Sequence, residues 1–190
     1  MLGKAAITIW CDVAAEIREE FDHWHAHEHM PERLSIPGFR RGSRWVSADG
    51  GSYFILYELE SEAALTSAAY LERLNHPTPW SRKMMPHHRN MVRGLCRVEA
   101  SSSRALGQAL LTARFSGERT LDVSRKGIVA THLLRNIAPA IAQTTEQQLR
   151  GGDAAPDRVA LVSGYDAAAV AAVAPAGATT GLYRLAYVLS

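Results

Sequence analysis

Four of the chain's eight histidines fall within seven residues, at His23, His25, His27 and His29. Imidazole is the side chain whose charge changes nearest neutral pH, so such a cluster can relay protons or ligate a metal. On a helical wheel of about 100° per residue, Ala14, Ile17, Phe21 and Trp24 form one apolar stripe. Glu28 falls inside that stripe, four residues after Trp24 and seven after Phe21. His25 lies beside it, His29 lies on its margin, and His23 and His27 fall on the opposite, solvated side. A carboxylate in a core-facing stripe is rare unless it is paired, because burying its charge is costly. Paired with His25 or His29, Glu28 would give a general base tuned by burial. The competing reading has the last turn projecting past the sheet, with Glu28 and His25 simply solvated.

His25 and His29 also have the i, i+4 spacing of two metal ligands, with Glu28 as a third. The glutamate precedes the second histidine and does not follow the first, so the zinc-protease pattern is absent and no metal is expected. Further along, His76 and Trp80 bracket a loop stiffened by Pro77 and Pro79, and such loops often line sites. Tyr53, Tyr57, Arg40, Arg44 and Trp45 are strand residues that can project into the same cleft, subject to register. No G-x-S-x-G, P-loop, dinucleotide fingerprint or C-x-x-C motif occurs, so serine nucleophiles and nucleotide cradles have no support.

The elements that must position these residues read as follows. Residues 5–11 are a buried strand. Asp12 caps a helix over 13–29 that Pro31 should end, since the residue before proline is biased away from the α region. Strands over 39–47 and 52–60 flank a hairpin at Ala48-Asp49-Gly50-Gly51. Ser61 caps a second helix, a short helical turn runs through Met85, and residues 91–98 form a fourth strand. This order is the β-α-β-β-α-β ferredoxin-like unit.

The second half repeats the unit in weakened form: strands at 106–115 and 127–135, a strand running into an Ala-rich helix over 157–173, and a last strand near Gly181. Its first helix, confined between Phe115 and Gly127, is expected to be reduced or absent, and residues 136–156 form an insertion, helical over 137–149. The expected fold class is therefore α+β, two ferredoxin-like repeats in one chain, residues 1–100 and 104–190. Strands 1 and 3 are apolar on both faces, so the second face of each sheet must be covered by the other repeat or another chain.

A hydrophobic share of 47% with 21% charged residues allows a sizeable core, and a net charge of +2 with scattered arginines argues against nucleic acid as partner. No stretch reaches the roughly 18 apolar residues of a membrane helix. The N-terminal apolar run is too short for a secretory signal, and Cys11 and Cys96 read as reduced thiols, which points to the cytoplasm.

With Phe21, Trp24, His29, Pro31, Pro37 and Gly38 in place, the chain resembles dimeric α/β-barrel proteins, in particular the EthD-like branch. The likeness covers the first hundred residues well, including Glu58 to Pro86, and the second half only as a degraded copy. It implies a ferredoxin-like barrel, usually a homodimer, with a cleft between sheet and helices. Relatives of this fold include cofactor-free monooxygenases acting on polycyclic aromatics, polyketide cyclases, lactone isomerases, stress-response proteins and haem-binding enzymes, and fold does not choose among them. The resemblance carries over His29 first; Glu28 and His25 come from the wheel. The expectation is a cofactor-free enzyme for a small hydrophobic or aromatic molecule, with His29 or His25 as proton shuttle and Trp24, Tyr57, Trp80, His76 and Arg44 around the substrate. A barrel that binds such a molecule without chemistry is the alternative. Haem on His132 is a third reading.

Overall fold

In the first strand, Ala6, Thr8 and Trp10 point to one face and Ala5, Ile7 and Ile9 to the other, and both faces are loaded with apolar side chains. A strand of this kind needs cover on both sides. The computed structural model supplies it by closing eight antiparallel strands into a barrel, with helices outside. It describes residues 1–119, 124–139, 141–151 and 154–190.

Strand β1 (Ala5–Asp12) leads into a helical arm of four pieces. These are a 3-10 turn (Ala15–Ile17), α1 (Arg18–Trp24), a π turn (His25–His29) and α2 (Met30–Leu34). The hairpin β2 (Phe39–Val46) and β3 (Ser52–Leu59) follows. A 3-10 turn (Glu62–Thr66), α3 (Ala68–Asn75) and α4 (Pro79–Met84) then lead to β4 (Arg89–Ser101). The second half comprises β5 (Ala109–Phe115), β6 (Ile128–Asn136), α5 (Thr145–Arg150), β7 (Arg158–Gly164), α6 (Ala167–Ala171) and β8 (Thr179–Leu189). Around the barrel the strands run β1-β3-β2-β8-β5-β7-β6-β4. Each half contributes four neighbours in the same order, fourth-first-third-second. The registers correspond too: Ala5 faces Leu59 and Arg97, and Ala109 faces Gly164 and Arg184.

The barrel interior is filled by Trp10, Trp45, Phe54, Leu56, Leu110, Leu134, Val159 and Leu161, with Trp10 Nε1 donating to Thr112 Oγ1 at 3.0 Å. Each such fully buried side chain contributes about 1.5–3 kcal/mol, so the interior is core and not a ligand lumen. A second apolar layer lies outside the first-half strands. There Ile7, Ile55, Tyr57 and Leu59 meet Met30, Ile36, Leu65, Tyr70 and Leu74 of the helical segments.

Several boundaries differ from the sequence expectation. Pro31 does not end the first helix; it sits in the first turn of α2, where a missing N–H costs nothing, and the wide turn before it makes room. Asp12 does not cap the arm, because its carboxylate accepts from Ser52 Oγ and Asn90 Nδ2. Ser61 makes no capping bond, whereas Ser67 caps α3 by accepting from Tyr70 N–H. The insertion helix is only Thr145–Arg150, started by a capping box of Thr144 and Gln147. Between Phe115 and Ile128 the described residues hold no helix, and residues 120–123 of that stretch lie outside them. Among the described residues no helix is long and apolar enough to cross a membrane.

Candidate functional site

The site is set by the π turn. Met30 N–H bonds to the carbonyl of His25, an i to i+5 closure that delays the helix by one residue. In a regular helix Glu28 would continue the Phe21–Trp24 stripe. With the delay, His29 takes that place, its ring 4.5 Å from Trp24, and both His25 and His29 are buried. His23 and His27 face solvent, as the wheel predicts, with ring centroids 4.4 Å apart.

Displaced from the stripe, Glu28 is half-buried and serves as a clasp. Its Oε1 accepts from Thr78 Oγ1 at 2.6 Å, Trp24 Nε1 at 3.1 Å and Ser81 Oγ at 3.2 Å. The expected hydrogen bond to a histidine is replaced by these three, which fasten the arm to the start of α4. The loop between α3 and α4 therefore positions Trp24 by way of Glu28.

His25 lies between the sheet and the arm, with Nε2 3.3 Å from Tyr57 Oη and its ring stacked on Phe21 at 6.1 Å. The His25 and His29 rings are 5.7 Å apart. Among the described residues, the buried Nδ1 atoms of both histidines have no hydrogen-bond partner. Burial first, and nearby cations second, hold both imidazoles well below the ordinary histidine value: Arg44 acts on His25 and Arg33 on His29. Burial raises the Tyr57 phenol, so it keeps its proton and can donate to His25 Nε2. In the other tautomer, with Nε2–H donating to the Tyr57 oxygen, the lone pair sits on Nδ1, where it can accept a ligand proton.

Two arginines flank the pair. Arg44 donates to the Asp22 carbonyl at 2.9 Å and pairs with its carboxylate at 3.2 Å, while its buried Nε has no partner among the described residues. Tyr53 beside it is raised to about 12 by burial and by Asp22. Arg33 is buried and pairs with Glu146 on α5 and with Glu32 at 3.2 Å.

Of the residues named from sequence, Trp24, His25, His29, Tyr57 and Arg44 converge on this site, with Glu28 behind them. Trp80 packs on the same aromatic cluster from the outer side, donating to Glu20 with its ring 5.5 Å from His23. His76 is not brought in: it is exposed and pairs with Glu72 at 3.0 Å. His132 lies on the opposite, inner face of the sheet, with Nδ1 2.9 Å from Ser101 Oγ, and burial lowers it to about 3. Among the described residues no three His, Cys, Asp or Glu side chains converge as a metal site would require.

Sequence reading missed His88, Arg33 and Glu146. His88 is buried, its ring 5.1 Å from Phe21 and 6.0 Å from Trp24 and its Nδ1 3.0 Å from the Met85 carbonyl. The Pro86-His87-His88 run was the available signal. Glu146 could be found only through its place in the first turn after the Thr144 cap.

The site is chemically a pair of buried neutral imidazoles set in aromatic walls, with a protonated phenol on one and cations beside both. Such a group can take a proton from a weakly acidic ligand and hold the anion that results.

The fold matches solved structures over nearly its whole length. A structure described as an anthrone oxidase-like protein aligns with TM-score 0.67 at 10% identity, covering 100% of this chain and 94% of that one. A "putative monooxygenase" from Lactobacillus acidophilus aligns with TM-score 0.54 at 9% identity, covering 98% and 96%. Another so described, from Fusobacterium nucleatum, gives 0.55 at 8% identity, covering 99% and 95%. At these identities the likeness is one of fold. No family model matches the chain, and no curated protein matches it.

Proposed function

We propose that the protein is a cofactor-free enzyme that moves a proton on a small hydrophobic or aromatic compound, with His25 and His29 as the shuttle. The carrying observation is the pair of buried imidazoles whose Nδ1 atoms lack partners amid Phe21, Trp24, Tyr57 and His88. A buried polar atom without a partner costs free energy, so a site that keeps two of them is built for a ligand atom. Trp24, Tyr57 and Phe21 form the apolar walls, with Trp80 packed behind them, and Arg44 stabilises negative charge on the ligand.

The depressed basicity of the histidines is compatible with this role. In the free protein, burial disfavours the imidazolium; once a substrate anion stands beside it, the ion pair offsets that penalty. Proton acceptance and anion formation are thus coupled. The fold shared with an anthrone oxidase-like protein and monooxygenases favours an enolisable polycyclic ketone or phenol as substrate class. In this reading the chain is a duplicated ferredoxin-like unit of EthD-like descent, with repeats at 1–100 and 104–190, acting in the cytoplasm as a homodimer. Light scattering at micromolar concentration should then give twice the 20.8 kDa chain mass.

The test is exchange of the acidic methylene protons of anthrone for deuterium, followed by NMR without oxygen. The native protein should accelerate exchange, and His25→Ala and His29→Ala should each lose about 10²–10⁴-fold of that acceleration, the usual contribution of general acid–base groups. Native rates in both variants would remove the histidines from the mechanism. Saturable binding with no acceleration would make the barrel a carrier.

A further inference from the structure

The two halves of the barrel correspond in strand order and register, and one ion pair of the first half has no acid at the corresponding place in the second. Leu95 and Arg97 of β4 face Ile7 and Ala5 of β1; Leu182 and Arg184 of β8 face Leu111 and Ala109 of β5 in the same arrangement. In the first half Arg97 pairs with Glu62, the third residue after Leu59 of β3. Counting from Gly164, which faces Ala109 as Leu59 faces Ala5, the corresponding residue is Ala167. Ala167 offers no carboxylate. Among the described residues the Arg184 side chain has no hydrogen-bond or ion-pair partner, although it lies on the same outer face as Arg97.

A cavity of about 290 Å³ stands beside it, lined by Ala48, Ala109, Tyr165, Ala167, Leu182 and Arg184, among others, with no acidic residue in its wall. The covering chain also differs between halves. Over β4, Ile137 and the segment after β6 lie against Leu95, with Ile137 N–H donating to its carbonyl. The corresponding link between β2 and β3 is a tight hairpin that brings only Ala48. Leu182 is therefore 42% exposed and Tyr165 63%. The carboxylates next in sequence to lining residues are engaged elsewhere: Asp166 accepts from Ala168 and Ala169 N–H at the start of α6, and Asp49 accepts from Gly51 N–H.

We infer that this groove binds a small flat apolar anion, an aromatic carboxylate or its equivalent, whose acid group takes on Arg184 the place that Glu62 holds on Arg97. The ring rests on Leu182, Ala109 and Ala167 under Tyr165. This site lies over the second half, on residues separate from the histidine site, and does not depend on the function proposed above.

The probe is 2-naphthoate, titrated into the full chain with methyl NMR and calorimetry, with 2-naphthalenemethanol as the neutral comparison. Saturable one-to-one binding with shifts at the Leu182 methyls is expected. Arg184→Gln should weaken it by about two- to fivefold, the range an exposed charge pair supports. Ala167→Glu, which rebuilds the first-half ion pair and suits the first turn of α6, should weaken it similarly. Both positions are exposed, and unchanged far-UV circular dichroism would show intact folds. The inference is overturned if either variant binds 2-naphthoate as the native chain does. It is equally overturned if the neutral compound binds as tightly, if shifts fall at His25 and His29 but not at Leu182, or if no saturation appears up to millimolar probe.

Discussion

Glu28 holds one carboxylate oxygen against three donors from two segments, so its removal takes the acceptor from the Thr78 and Ser81 hydroxyls and leaves Trp24 Nε1 only its longer bond to Ser81 Oγ at 3.3 Å. Losing the acceptor of a charged, partly buried hydrogen bond costs about 1.5–3 kcal/mol. Glu28→Ala should therefore lower the urea midpoint by a corresponding amount, with Glu28→Gln losing less; a midpoint unchanged in Glu28→Ala would refute the clasp. The histidines set a second expectation at this scale. Folding holds His25, His29 and His132 below their unfolded value of about 6.5. Their contribution to stability is complete above that value. It is lost as pH falls below it, because the unfolded chain takes up protons that the folded one refuses. Between pH 7 and 5.5 each should cost about 1 kcal/mol, and His132→Gln should remove one proton from the uptake measured on unfolding. By the same sign, the turnover proposed for neutral His25 and His29 should keep its plateau as pH falls past about 6.5. Which side chains are buried here was legible from the wheel for Trp24 and His25. The role of Glu28 was not, since it depends on partners fifty residues away in sequence.

At the level of elements, the apolar alternation of β1 and β3 and the Gly50-Gly51 hairpin were readable because they are local. Helix phase was not. The rule that proline stops a helix assumes a regular turn ahead of it, and the π closure from Met30 to His25 breaks that assumption. That same closure decides whether Glu28 or His29 faces the sheet, so the candidate site rests on the one feature periodicity cannot reveal. Backbone approach is similarly invisible in sequence. A Cβ on Gly164 would fall on the Gly127 carbonyl oxygen and within 2.7 Å of Val170 Cγ2. With backbone on one side, relief requires moving β7 or the start of β6. Gly164→Ala should thus cost about 1–3 kcal/mol, the range for overpacking a close-packed site, and thermal denaturation would show it. A native melting temperature in that variant would mean that the contact yields freely.

On the scale of the whole molecule, the barrel's eightfold closure leaves no open sheet edge, and its asymmetry resides in what covers it. The insertion after β6 crosses from the second half to the first and ends in α5. There Glu146 pairs with Arg33 of the arm, Thr145 N–H bonds Asn75 Oδ1, and Leu149 joins the cluster around Trp24. The doubled strand order was readable from sequence, but this cross-link joins residues 113 positions apart and has no local signature. Its consequence is testable because Glu146 serves two buried arginine side chains, those of Arg33 and Arg150, and its removal leaves Arg33 with Glu32 alone among the described residues and takes a carboxylate from Arg150. Glu146→Ala should destabilise the fold by roughly 3 kcal/mol and speed amide exchange across Thr145–Arg150. Arg33→Met combined with Glu146→Leu, which removes both charges, should recover part of that loss, the remainder falling on Arg150 without its Glu146 partner and on Glu32 left with Arg73. If the single variant keeps its stability to within the error of a urea titration, or the double variant loses as much as the single, α5 is held by its apolar contacts and the pair does not anchor it. If both results are as expected, the arm that carries His25 and His29 is braced by a segment of the second half through the Arg33–Glu146 pair.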